Sequence, residues 1–290
     1  MTEPPAKPRR RWLQFSLRSL LLVFTIASVW MGTKANRAHK QSRAVEAITK
    51  WGGTVSYDYE SDGSKQPAYP AWLRNLLPLD YLATARTVRL PKSQVSDDDL
   101  QTLTGLPDLV FLDLEDSKIT DAGIRKLNVL TKLQTLILNG TDCTDQGVAS
   151  LKSLTDMRIL GLSLTQISDK GLNAVRTMPY LSVLFVSGTR VGDLGLENLR
   201  GLKYFNNLDI SGTQVTEAGL SQLRQLPELV CLMVSGRLIT PAGISELQRF
   251  PKLKLLFFER TDDWAKIHSE LKQALPGIGV APYTLPQRPS

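Results

Sequence analysis

Residues 108–131 read DLVFLDLEDSKITDAGIRKLNVLT, and residues 132–155 read KLQTLILNGTDCTDQGVASLKSLT. Laid one above the other, Leu112 falls on Leu136, Leu114 on Leu138 and Leu127 on Leu151. The frame extends both ways. Blocks of 24 residues begin at Thr84, Asp108, Lys132, Asp156, Tyr180, Tyr204, Glu228 and Lys252, with no insertion between them. The fifth position reads Val88, Leu112, Leu136, Leu160, Leu184, Leu208, Leu232, Leu256, and the seventh Leu90, Leu114, Leu138, Leu162, Val186, Ile210, Val234, Phe258. The twentieth is Leu in every block except for Val175. Eight aligned copies are the signature of a stacked repeat.

Each column carries a physical reason. Positions five and seven point the same way along a strand, into a core. A bend follows, and then a hydroxyl before an acid, as in Thr120-Asp121, Thr144-Asp145, Ser168-Asp169 and Thr216-Glu217. The hydroxyl is a natural helix N-cap and the carboxylate suits the positive end of the dipole. Ile124, Leu127 and Leu130 then bury one helical face. A strand, a turn and a short helix cannot hide their own apolar edges, so neighbours stack at about 4.8 Å per strand into one parallel sheet and one core. The glycines at 123, 147, 171, 195, 219 and 243 sit inside the helix, where each costs about 1 kcal/mol against alanine. Their recurrence implies close backbone packing between turns. The Ser or Thr at 93, 117, 141, 165, 189, 213 and 261 is expected to bond backbone inside its turn, and Arg237 to distort the turn where it intrudes.

The pattern L-x-x-L-x-L-x-x-T-x-I-T-D-x-G-L, as in residues 109–124 (with Ser117 and Ile124 as variants), resembles the leucine-rich repeat. Its length and helix start are most similar to the cysteine-containing subtype. The whole chain also resembles the membrane-anchored repeat proteins of planctomycete bacteria. They pair a start like residues 14–21 (QFSLRSLL) with a connector like residues 52–59 (GGTVSYDY). The resemblance implies an α/β solenoid, with a parallel sheet on its concave side and helices on its convex side. It implies protein–protein interaction and names no ligand.

Residues 12–33, WLQFSLRSLLLVFTIASVWMGT, are apolar except for Arg18 and read as a transmembrane helix. A cleaved signal peptide and a buried helix are the alternatives. The reading divides the chain into a basic cytoplasmic tail (1–11), the anchor (12–33) and a juxtamembrane helix with an N-terminal cap (34–83). The repeats follow at 84–276, the last unit being a cap, and then a loose tail (277–290). In the connector, Ala44, Ala47 and Ile48 form a small stripe, and the apolar stretch from Trp72 to Leu82 is expected to cover the first repeat. Three arginines before the anchor favour a cytoplasmic N-terminus and an extracytoplasmic repeat domain.

The formal charge of +7 suggests nucleic acid until it is mapped. Residues 1–50 hold ten Lys/Arg and two Asp/Glu, which leaves 25 and 26 for the rest. The folded domain therefore lacks a basic footprint, and no nucleic-acid partner is expected. The two cysteines, Cys143 and Cys231, lie four strands apart, about 19 Å and beyond disulfide reach. With two distant histidines, His39 and His268, and no metal-spaced ligand cluster, no catalytic residue, cofactor or metal is expected. One aspartate per repeat cannot assemble the six to eight oxygens that calcium takes.

The strand positions that face away from the core should be polar. Phe111, Ile137, Ile159, Val183, Phe185, Cys231, Met233, Leu255 and Phe257 are not. They are expected to form an exposed concave patch for a protein partner, unless residues 51–82 or the tail fold across it or the strand register is different. The sequence thus reads as a membrane-anchored protein-binding scaffold or receptor-like adaptor without enzymatic activity; a structural spacer of the cell envelope is the alternative.

Overall fold

The structure is a computed structural model describing residues 17–284. Ten strands form one sheet in chain order: β1 (Thr54–Tyr57), β2 (Ala85–Arg89), β3 (Phe111–Asp113), β4 (Thr135–Ile137), β5 (Ile159–Gly161), β6 (Val183–Phe185), β7 (Asn207–Asp209), β8 (Cys231–Val234), β9 (Leu255–Glu259) and β10 (Gly279–Tyr283). β2 to β10 are parallel, and each residue pairs with the one 24 positions on, as Leu112 does with Leu136. The fifth, seventh and twentieth columns are at most 1% exposed and belong to one hydrophobic core. Stacking of equal modules gives an α/β solenoid, with the expected register.

The hydroxyl column works as expected in five turns. Ser117, Thr141, Thr165, Thr189 and Thr213 each donate to the carbonyl three residues earlier, all at 2.6 Å. Arg237 breaks the series. Its turn is a 3-10 helix, Gly236–Leu238, and its guanidinium reaches back to the carbonyls of Thr213 and Val215. The threonine caps also form, as when Thr120 accepts from Ala122 N.

The aspartate after each cap does more than favour the helix dipole, because it bonds forward into the next module. Asp121 accepts from Thr144 N at 2.8 Å and from its hydroxyl, and Asp145 from Ser168 N and Oγ at 2.7 and 2.6 Å. Asp193 does the same for Thr216 at 2.8 and 2.6 Å. The glycine column makes room for this ladder. A Cβ at Gly171 would lie 2.7 Å from Asp145 Oδ1, and one at Gly195 2.6 Å from Asp169 Oδ1.

At the N-terminal end, helix α1 (Leu17–Lys50) runs unbroken for 34 residues. No helix of the described residues is long and apolar enough to cross a membrane. This overturns the single-pass localisation with an extracytoplasmic repeat domain, and it leaves the transmembrane anchor over 12–33 and membrane attachment through it without support. The physical reason is length. Between Arg18 and Lys34 the uncharged run is 15 residues, about 22 Å of helix against a hydrocarbon core of about 30 Å. The tail at 1–11 and the first residues assigned to the anchor, 12–16, lie outside the described residues.

The second half of α1 is the cap. Ala38, Gln41, Ala44 and Ile48 are buried, with Ala44 and Ile48 part of the repeat core. Gln41 donates to Ala83 O at 2.9 Å and accepts from Ala85 N at 3.1 Å, satisfying backbone at the start of β2. Arg37 reaches Asp108 at 3.4 Å. β1 then covers the first parallel strand antiparallel to it. Of the stretch expected to cap the first repeat, Trp72, Leu76, Leu79 and Tyr81 are exposed while Leu73, Leu77 and Leu82 are half-buried, and it meets α1, where Gln41 donates to Asp80 Oδ1 at 3.0 Å.

The C-terminal end also differs from expectation. The helix Trp264–Ala274 buries Leu271, with Trp264 and Ile267 packed against the core, as a cap should. Residues 279–283, assigned to a loose tail, instead form β10, in the same 24-residue register on β9. Pro282 is tolerated because an edge strand can spare one donor.

Candidate functional site

The face of the sheet opposite the core is built from two rows that the in-register pairing lines up. One row runs Phe111, Thr135, Ile159, Val183, Asn207, Cys231, Leu255, and the other Asp113, Ile137, Gly161, Phe185, Asp209, Met233, Phe257. All nine residues singled out from the sequence lie in these rows. Phe111, Ile137, Ile159, Val183, Phe185, Met233 and Phe257 are half-buried, and Leu255 is 43% exposed. Cys231 is 6% exposed and is covered rather than presented.

The apolar surface is divided. Asn207 and Asp209 of β7 separate one island, centred on Ile159, Val183 and Phe185, from another made by Met233, Leu255 and Phe257. Of residues 51–82, Thr54–Tyr57 form β1 at the edge of the sheet, antiparallel to β2, and not across its face. The C-terminal strand does reach over it: the Tyr283 hydroxyl donates to Asp209 Oδ1 at 3.4 Å. Asp209 also accepts from Ser211 N at 3.0 Å and from Ser211 Oγ at 2.5 Å. Burial nevertheless holds its pKa above the ordinary aspartate value, because these bonds offset only part of the lost hydration.

Beside the first island the face dips. Gly161 has no side chain, and Ile137 and Asn139 lean over it, each within 3.3 Å of where a Cβ would lie. The recess next to it, about 230 Å³, is lined by Glu115, Asp116, Asn139, Ser163, Leu164, Phe185, Ser187 and Asp209. Its polar wall is ordered from module to module. Asn139 donates to Glu115 Oε1 at 3.2 Å and accepts from Ser163 N at 3.0 Å, while Ser187 Oγ donates to Ser163 Oγ at 2.9 Å. Apart from Phe185, the sequence reading missed this recess. The signal available to it was the polar run at the eighth position, Glu115, Asn139, Ser163, Ser187.

Both cysteines are free and buried. Burial, reinforced by the Asp121 charge, pushes the Cys143 thiol up to about 12, so it packs as a small hydrophobe in its aliphatic column. His268 faces Val280 O at 3.1 Å within the C-terminal cap, away from both rows.

A stacked parallel sheet with one face in the core and the other open defines a repeat protein. A family model described as Leucine Rich repeat matches residues 105–127, and with the sheet it supports a leucine-rich-repeat protein. A comparison with curated proteins finds no match.

Proposed function

We propose that the chain is a protein-binding scaffold that engages its partner through the open sheet face and carries out no chemistry of its own. The observation that carries this reading is the two islands of half-buried or exposed apolar side chains on the open sheet face. A solvated face would be polar at these positions, and contiguous apolar surface marks interaction sites. The repeat itself suggests a protein-interaction scaffold. Shape supports it too, since stacked modules present an extended surface whose side chains are set by the backbone.

Photo-crosslinking in the intact protein tests the reading. A photoreactive residue at Phe185 or Phe257 is expected to give one discrete adduct, and the same residue at Lys152, in the 3-10 helix Ser150–Ser153, none. Introducing Phe185→Asp with Met233→Asp should abolish the adduct from position 257 while the melting transition stays within about 1 kcal/mol. Equal adducts from both faces, or unfolding of the double variant with no separable loss of capture, count against it.

A further inference from the structure

The charge of the recess says what kind of partner the open face takes. Its lining holds three carboxylates, Glu115, Asp116 and Asp209, and three further groups with acceptor oxygens, Asn139, Ser163 and Ser187, with no Lys, Arg or His among them. The carboxylates do not converge on a point. Among the described residues no three His, Cys, Asp or Glu side chains could hold a metal ion, so a compact inorganic cation is a poor fit. The volume, about 230 Å³, is below the range of roughly 300–1,000 Å³ typical of small-molecule sites, and suits one long side chain. Phe185 belongs both to the apolar island and to the recess wall, so an aromatic ring faces whatever enters. The same sheet face already shows this pairing at its N-terminal end, where the Arg89 guanidinium lies 5.1 Å from the Phe111 ring centre.

We propose that the recess takes the arginine or lysine side chain of a polypeptide partner, whose flanking apolar side chains lie on the islands at Val183–Phe185 and Met233–Phe257. The inference rests on the open face being the binding surface and adds the partner's chemistry to it. The cation pairs with Glu115 and Asp116, and the Phe185 ring in the wall of the same recess faces the incoming side chain. The stem of the basic side chain covers apolar surface while its head reaches the carboxylates.

The test is selection of random displayed peptides on the full chain. The binders are then measured against Glu115→Gln with Asp116→Asn and, separately, against Phe185→Asp. Asp116 has a φ of 55°, a conformation asparagine adopts readily, so the first variant should keep its fold and melting midpoint. The expected binders share one Arg or Lys between apolar residues. They weaken at least tenfold on the Gln/Asn variant, and equally when the arginine is replaced by citrulline. Binders that respond to Phe185→Asp but carry no basic residue, or that bind the Gln/Asn variant unchanged, overturn the recess assignment and leave the open-face reading intact. Binders indifferent to both variants overturn both. A library that yields no binder also overturns the recess assignment.

Discussion

Alanine at Gly219 is expected to destabilise the protein by about 2 kcal/mol, the scale of overpacking, although alanine is ordinarily the better helix former by about 1 kcal/mol. The reason lies in the preceding module. The added methyl would run into the Asp193 carboxylate and lie 2.8 Å from Val215 Cγ1, separating Asp193 from the Thr216 amide and hydroxyl that it holds. Urea denaturation checks the sign, and an alanine that stabilises would remove the packing explanation. Asp209 gives a second prediction at this scale. Burial raises its pKa in the folded state, so the folded protein binds that proton more tightly than the unfolded chain. Stability from this group is complete below the unfolded value of about 3.9 and is lost as pH rises through the raised folded value. Asp209→Asn keeps the Oδ1 acceptor for Ser211 and Tyr283 without the charge. It should be more stable than the parent at pH 7, with the gap closing as the solution is acidified; midpoints measured from pH 3 to pH 7 decide it.

Among the elements, α1 has two halves of different character. From Leu20 to Met31 its large apolar side chains are exposed, and from Ala38 onward it closes the end of the core. A chain starting at residue 34 should therefore melt with the full protein to within about 0.5 kcal/mol. One starting at residue 51 loses Ala44 and Ile48 from the core and Gln41 from the backbone of β2. It should lose on the order of 4 kcal/mol, from about 1.5–3 for a buried isoleucine plus the hydrogen bonds left open. Thermal melts of the two truncations separate a cap from a passive extension, and equal melting points would exclude the capping role. The apolar composition of the first half alone does not distinguish it from a buried segment. Its exposure does.

For the molecule as a whole, modules that touch only their neighbours give a stability that varies along the stack. The interior strands β4 to β7 pair on both sides, whereas β1 and β10 each pair on one. Hydrogen exchange should accordingly be slowest for the amides of β4 to β7 and fastest at the two edges. Uniform protection along the stack would show that it opens only as a single unit. The open face spans this stable middle, so a partner seated there meets side chains held in place before binding, which lowers the ordering cost of association.

The 24-residue period, the columns that enter the core and the face the remaining residues occupy were legible in the amino-acid order, because a side chain's depth in a stack depends only on its place within its own module. Leu112 and Leu136 had to share a depth once their blocks were aligned, and the nine apolar residues had to share the opposite face. Relations between modules and at the ends were not legible. Asp121 is tied to Thr144 in the next turn, a partner that exists only once two copies are superposed. Why glycine recurs at 147 follows from that bond, and the sequence alone showed only that something comes close. The docking of α1 through Ile48, the tenth strand at residues 279–283 and the reach of Tyr283 to Asp209 depend on packing angles and chain reversals. No local pattern encodes those, so the tertiary structure decided them.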